Sequence, residues 1–361
     1  QRATGEARGL FLLEFMKESG FAASTFAPED MRLGRDLLRA LASDPGIALV
    51  STNLYDEEEG ELLLPPYTIV ERAGLRIGIT AASAPMEEVR RLAEEAGMRF
   101  EDPADRLPGV LQELDGKTDM IVLLARMELE DAEAIAMESA GLIDVVVMGG
   151  QKSGRGGRSY RETGGATYVV AGNRGQALGV ARVAIDGREV QAVVGEELVL
   201  SRDWPENPEV LASVTEFQRN LNEMMKEHAV TNARSRQAPD GHYYLGAENC
   251  ASCHVEEYRR WLETPHSDAF QTLVDVDSEA LPECFQCHVT GHGDAAGYIP
   301  FLETETPLIN VQCEVCHGKG TEHARDGSYG KSLLMESCAT CHDPENSPDF
   351  DPEVYWLMME H

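Results

Sequence analysis

Four short strings in the last third of the chain carry the residue types able to do chemistry. They are Cys250-Ala-Ser-Cys253-His254, Cys284-Phe-Gln-Cys287-His288, Cys313-Glu-Val-Cys316-His317 and Cys338-Ala-Thr-Cys341-His342. The sequence has eight cysteines and these strings use all of them, so none is left to staple a fold with disulfides. A lone Cys-x-x-Cys suits a redox dithiol or half of a zinc site, because thiolates serve disulfide exchange and soft metals alike. The histidine directly after the second cysteine changes that reading. Two thiols at this spacing add across the vinyl groups of a porphyrin as thioethers, and the adjacent imidazole becomes an axial iron ligand, the attachment pattern of c-type haem. Four repeats predict four covalently bound haem c groups, their irons held on one side by His254, His288, His317 and His342.

Ten histidines are present, and nine of them fall within residues 242–361. Beyond the four proximal candidates these are His242, His266, His292, His323 and His361; the tenth, His228, lies on a charged helix and reads as exposed. Clustering of imidazoles beside the attachment strings points to a second axial ligand on the irons. Two imidazoles give a six-coordinate, low-spin centre that changes charge with little rearrangement, which suits electron transfer. Tyr258, Trp261 and Tyr355 are aromatic candidates for packing on porphyrin faces. Met358 and Met359 have sulfurs able to ligate, yet beside His361 on a helical stretch they read as packing.

The elements that must position these groups differ along the chain. Residues 1 to about 200 contain no cysteine and no histidine and alternate between helical and strand patterns. Helical spacing runs through 8–20, LGRDLLRALASD, MEEVRRLAEEAG and LEDAEAIAMESAG; IALVST, YTIVERAG, LRIGITAA, DMIVLLAR and DVVVMGG read as strands. YTIVERAG and LRIGITAA are expected to form a hairpin at Gly74, and ATYVVAG, GVARVAID and EVQAVVGEEL an antiparallel tail. The whole predicts an α/β fold, helices covering mixed sheets, long enough to bury its own core. Residues 201–241 read as a proline-opened helix and a polar linker. Residues 242–361 are predicted to be mostly α, loop-rich and dependent on porphyrin to fill the core.

Composition sets the surroundings. With 63 acidic and 31 basic residues the formal net charge is -32, which excludes nucleic acid and anionic lipid as partners and suits redox partner proteins with basic docking surfaces. No run of eighteen apolar residues occurs, so no membrane span is predicted. Covalent haem attachment takes place outside the cytoplasmic membrane, so a periplasmic or extracellular location is expected, with Gln1 lying after a removed signal peptide.

Two resemblances add to this. YYLGAENCASCH, WLETPHSDAF, CFQCHVTGHG, NVQCEVCHGKGTEH and FDPEVYWLMMEH are similar to segments of the tetrahaem cytochrome c-554 family over residues 243–361. That resemblance implies closely packed haems that carry electrons, with His266, His323 and His361 as distal ligands. The fourth distal position stays open between His292, His242 and an iron with no second protein ligand. STNLYDEEEGELLLPPYTIVERAGLRIGITAA, GLIDVVVMGG and TGGATYVVAGNRGQALGVARV resemble the metallophosphoesterase domain of 5'-nucleotidases over residues 8–200. Its metal ligands are missing: Ala27-Pro28-Glu29-Asp30 stands where Gly-Asn-His-Glu is implied, Ala125 where a lone histidine is, and Gly150-Gln151-Lys152-Ser153 where Gly-His-x-His is. The opening Asp-x-His segment is absent. A two-metal hydrolase must clamp both attacking and leaving oxygens, so no phosphoesterase metals are expected, Glu29 and Asp30 reading as a solvated loop.

The chain is therefore read as a degenerate metallophosphoesterase-like domain (1–200), a helix and linker (201–241) and a tetrahaem c-type cytochrome domain (242–361). Its expected role is electron transfer, with no catalytic residues assigned and with assembly into a larger complex or filament. The alternative is a haem enzyme with one open iron acting on a small nitrogen species such as nitric oxide or hydroxylamine. A phosphatase with an attached redox sensor is a third reading.

Overall fold

The computed structural model describes residues 2–43, 46–139, 141–149, 160–170, 177–201, 203–231, 236–301, 308–327, 335–343, 346–347 and 349–359. The chain folds as two compact units, Gln1–Pro205 and Glu206–His361. The first unit opens with α1 (Arg2–Glu18), β1 (Ala23–Ser24), α2 (Arg35–Ala42), β2 (Ala48–Leu49) and β3 (Leu54–Asp56). It continues through β4 (Tyr67–Arg72), β5 (Leu75–Ser83), α3 (Glu87–Glu95), β6 (Met98–Phe100), α4 (Pro103–Asp115), β7 (Met120–Arg126), α5 (Leu129–Glu138) and β8 (Val145–Met148). β9 (Tyr160–Thr163), β10 (Ala166–Val170), β11 (Ala177–Asp186) and β12 (Glu189–Val199) complete it.

A six-stranded sheet in the order β4-β5-β7-β8-β10-β9 forms its centre. β5, β7, β8 and β10 are parallel, with β4 and β9 antiparallel at the edges. The β4–β5 hairpin turns at Ala73 and Gly74, both with positive φ (50° and 83°), the left-handed pair that a tight hairpin requires and that glycine adopts without strain. β7 shows how residue alternation builds layers. Ile121, Leu123 and Ala125 face a core completed by Leu107, Leu111 and Leu114 of α4 and by α5, whereas Met120 and Val122 face Val183, Val190 and Val193 of the β11–β12 hairpin. The α4 leucines lie at i, i+4 and i+7 and are fully buried, each contributing about 1.5–3 kcal/mol. Gly78 on β5 permits that approach, because a Cβ there would meet Leu114 Cδ2 at 2.9 Å.

β10 departs from the antiparallel tail expected for it. It pairs in parallel with β8, and only β11 and β12 form the separate hairpin. Ala166, Thr167, Tyr168 and Val169 are all buried, and a segment apolar on both faces fits an interior strand. The Tyr168 hydroxyl donates to the Ala132 carbonyl at 3.2 Å, so its one polar atom is satisfied. Asn53 ties two layers together: its amide nitrogen donates to the Ser83 and Glu101 carbonyls, both at 2.7 Å, and its oxygen accepts from the Ser83 amide at 3.1 Å.

The second unit has little regular sheet; among its described residues strand pairing is limited to the isolated bridge Val289–Ile309. It begins with α6 (Pro208–Thr231), the proline-opened helix, which packs on this unit through buried polar contacts. Asn222 donates to Glu279 Oε2 at 3.0 Å and accepts from the Ala280 amide at 2.8 Å, and Lys226 Nζ lies 2.6 Å from Glu279 Oε1. Short helices follow: α7 (Ala247–Cys250), α8 (Val255–Leu262), α9 (Ala269–Val274), α10 (Pro282–Phe285), α11 (Cys313–His317), α12 (Thr321–Asp326) and α13 (Pro352–Met359). One apolar cluster of buried residues, Leu273, Phe285 and Val289, is small against the unit's length.

Polar bonds around residues 310–314 hold these pieces. The buried Glu314 carboxylate accepts from the amides of Leu245 (3.0 Å), Gly246 (2.8 Å) and Gly320 (2.7 Å). Gln312 accepts from the Ala247 amide at 2.7 Å, and its own amide donates to Thr290 Oγ1 at 3.1 Å. The Val311 amide donates to the His266 carbonyl at 3.1 Å, and Trp261 Nε1 donates to the Val311 carbonyl at 2.9 Å. Asn310 Oδ1 accepts from the Phe270 amide at 2.8 Å.

Two outcomes follow. Hydrogen bonds from the guanidiniums of Arg76 and Arg188, and then from the Arg76 amide, hold the Asp119 carboxyl well below the usual carboxylate range. Its contribution is therefore present above that range and lost as the pH falls through and below it; Asp119→Asn is expected to flatten the acid limb of the first unit's thermal stability, and an unchanged limb counts against the role. Replacing Glu314 by alanine leaves the buried Gly246 amide without an acceptor, at roughly 1–3 kcal/mol, and frees the half-buried amides of Leu245 and Gly320. The variant is expected to lose protease resistance across residues 245–320, with Glu314→Gln intermediate; wild-type resistance in both counts against the hub.

Candidate haem-binding site

Each attachment string forms a single helical turn. The His254 and His342 amides donate to the Cys250 and Cys338 carbonyls at 3.0 and 2.9 Å, the Cys287 amide to the Cys284 carbonyl at 3.4 Å, and Cys313–His317 is itself α11. Residues four apart in such a turn share a face, so the first thiol and the imidazole of a string point the same way. They point into one cavity of about 1840 Å³, lined by at least one cysteine of every string and by His254, His288, His317 and His342. A pocket for one small molecule holds roughly 300–1,000 Å³, so this space suits several large planar groups. Cys253 is exposed and lies outside the lining.

None of the eight cysteines forms a disulfide, and thiols of different strings lie close together. Cys313 hydrogen-bonds Cys250 and pushes it up; burial and then the Cys341 charge push Cys287 up to about 11; burial and then Cys338 push Cys316 up. The contacts set a neighbour order among the strings: first, third, fourth, second.

The imidazoles are arranged in facing pairs. His323 on α12 faces His254 with ring centroids 5.9 Å apart, and His266 faces His342 at 6.1 Å. Two metal–nitrogen bonds of about 2 Å each plus the radius of each five-membered ring place imidazoles on opposite sides of one metal about 6 Å apart. The polar hub positions both partners, since Glu314 anchors Gly320 at the start of α12 and Val311 anchors the His266 main chain. Nδ1 of His288 lies 2.5 Å from the Ala269 carbonyl, and Nδ1 of His342 lies 3.0 Å from Ser347 Oγ. With Nδ1–H donating in each case, Nε2 is left as the ligating nitrogen, the usual arrangement for a metal-bound histidine. Burial, and then the neighbouring His342 and His288, lower the pKa of His266 and favour its neutral, ligating form. Spacing, donor types and cavity size all fit haem.

The other sequence candidates lie elsewhere. His292 is exposed and packs edge-on against Phe285 with centroids 5.3 Å apart, and His242 Nε2 stands 3.7 Å from Glu322; neither lines the cavity. His361 lies outside the described residues, and His228 is exposed on α6. Tyr258, Trp261, Tyr355, Met358 and Met359 all line the cavity. In the first unit the Asp30 carboxylate accepts from the Ala27 amide at 2.7 Å, and Ala125 is buried within β7. The Glu29 side chain and Gly150–Ser153 lie outside the described residues. Glu314, Gln312, Ser347 and Phe350 went unnoticed in the sequence; the one available signal was a carboxylate inside the third string.

Comparison with known proteins agrees with both halves. Residues 249–318 match the family described as cytochrome c554 and c-prime. No curated protein matches the chain. Among solved structures, the sulfate thiohydrolase SoxB of Thermus thermophilus aligns at 20% identity with a TM-score of 0.51, over 59% of this chain and 39% of that one. The calcineurin-like phosphoesterase YfkN of Bacillus subtilis aligns at 18% identity with a TM-score of 0.51, over 59% of this chain and 74% of that one. Identities this low show the fold alone. The chain thus joins an N-terminal unit with the α/β phosphoesterase-like fold to a helical, loop-rich unit whose residues 249–318 match the haem-bearing cytochrome c554 and c-prime family.

Proposed function

We propose that the protein is an electron carrier outside the cytoplasm, holding four haem c groups in its second unit, with the first unit serving as an inactive scaffold or docking module. The observation that carries this is the spacing of the imidazole pairs, 5.9 Å for His254 and His323 and 6.1 Å for His266 and His342. When bound, each haem supplies an iron that exchanges one electron. The protein's own residues attach and orient: Cys250 and Cys253, Cys284 and Cys287, Cys313 and Cys316, and Cys338 and Cys341 anchor, while His254, His288, His317 and His342 ligate. His323 and His266 close the first and fourth sites, and His361 is assigned to a third. The thiol contacts support a row in the order first, third, fourth, second.

The first unit is read as inactive because Pro28, Ala125, Gln151 and Ser153 stand where the resemblance implies metal ligands. Its partners are redox proteins with basic surfaces, matched to a net charge of -32. Such steering is screened beyond a Debye length of about 8 Å at physiological salt, so the association rate should fall with ionic strength.

The test is the purified chain. A mass increased by four covalently attached haems is expected, and a colourless chain would sink the reading. His323→Ala and His266→Ala are each expected to convert one low-spin haem to a high-spin form able to bind carbon monoxide, with its potential displaced. Spectra identical to the unaltered protein in both variants would remove the assigned ligation. Metal-dependent phosphate release is expected to be absent; measurable release would overturn the scaffold role.

A further inference from the structure

We propose that Ser347, Phe350 and Tyr355 form a clamp that fixes the plane and donor strength of the His342 imidazole, and so tunes the reduction potential of the haem anchored by Cys338 and Cys341. This rests on the haem reading above and adds positioning residues that the attachment pattern does not contain.

The clamp is built by local hydrogen bonding. The Asp343 carboxylate accepts from the Asn346 amide at 2.7 Å and from Asn346 Nδ2 at 2.8 Å, and the Asp343 carbonyl accepts from the Ser347 amide at 2.8 Å. That turn delivers Ser347 Oγ to 3.0 Å from His342 Nδ1. The Phe350 amide then donates to the Ser347 carbonyl at 3.0 Å, which brings the Phe350 ring face to face with the imidazole, centroids 4.5 Å apart and planes within 8°. Tyr355, on α13, meets both rings edge-on, at 5.6 Å and 68° to His342 and 4.8 Å and 72° to Phe350. Stacked and edge-to-face pairs at these separations are attractive beyond their buried area. Rotation of the imidazole would break the stack and the hydrogen bond together.

The hydrogen bond also has an electronic effect. With Nε2 as the ligating nitrogen, Nδ1 carries the proton and Ser347 Oγ accepts it. A stronger acceptor pulls harder on that proton, makes the ring a better donor, and favours the oxidised metal. His288 shows the contrast: its Nδ1 lies 2.5 Å from a main-chain carbonyl that no substitution removes, whereas His342 relies on a hydroxyl that substitution can weaken or strengthen. The angle of 45° between the His266 and His342 rings supplies a second readout, because the relative orientation of two axial imidazoles governs the g anisotropy of a low-spin ferric centre.

The experiment is a spectroelectrochemical titration with EPR on the full haem-loaded chain. Ser347→Ala is expected to raise one of the four midpoint potentials and Ser347→Asp to lower the same one. Each shift is expected to be on the order of tenfold in the redox equilibrium, about 59 mV for a one-electron couple. Ser347→Thr, which keeps the hydroxyl, should retain the native value. Phe350→Leu should change the g values of one low-spin signal while the others stay. With four haems present by mass, shifts of the same sign in the alanine and aspartate variants, no shift in either, or a threonine shift equal to alanine's would overturn the clamp. An unaltered chain carrying fewer than four haems would instead overturn the reading beneath it.

Discussion

The geometry of the second unit depends on one buried carboxylate. Glu314 sits inside the third attachment string, yet its oxygens are spent on the amides of Leu245 and Gly246, nearly seventy positions back, and of Gly320, six positions on. Through the first two it fixes the approach to Cys250; through the third it fixes the start of the helix that carries His323. A charge-assisted hydrogen bond is roughly twice as strong as a neutral one, and three on one buried group make its position hard to vary. Gln312 and Val311 extend the same device to Ala247, Thr290 and the His266 main chain. A short polar segment thus relates the first, second and third strings, the start of α12 and the His266 main chain.

A polar frame is needed because the unit has few apolar residues to spare. Its buried apolar cluster is Leu273, Phe285 and Val289, while the strings face a cavity. The first unit has the opposite design. There, β7 is packed on both faces, α4 contributes a stripe of buried leucines, and Ala125 and its neighbours fill space between layers. One unit is completed by its own side chains, and the other has the shape of a holder.

What the sequence disclosed follows from how local each signal is. The attachment strings are contiguous, so their chemistry was readable without a fold, and the short apolar segments 75–83 and 120–126 between helical patterns marked strands. His266 and His323 became candidates through family likeness, and the structure pairs them with His342 and His254, partners that no spacing rule names because they lie 76 and 69 positions away. β10 was misjudged because a short apolar run does not reveal whether its neighbour is parallel or antiparallel. Glu314 was invisible for another reason: a glutamate between two cysteines looks solvent-exposed until its three amide donors, two of them from a remote loop, are known. Ser347 and Phe350 lie in a polar turn whose composition says only that the chain bends there.

Electron transfer rewards a centre that moves little when its charge changes, and the way each imidazole is held bears on this. A ligand supported at one atom can rotate or withdraw as the metal changes state. His342 is held by its own helical turn, by Ser347 at Nδ1, by the face of Phe350 and by the edge of Tyr355. His288 has its turn and the Ala269 carbonyl, and the His266 main chain is bonded to Val311. These supports are main-chain contacts, ring contacts and one short hydroxyl side chain, with few rotatable bonds between anchor and ligand. On the proposed haem reading, the polypeptide itself sets these nitrogens near a bonding separation, so that a change of one electron would meet a frame already shaped for both charge states.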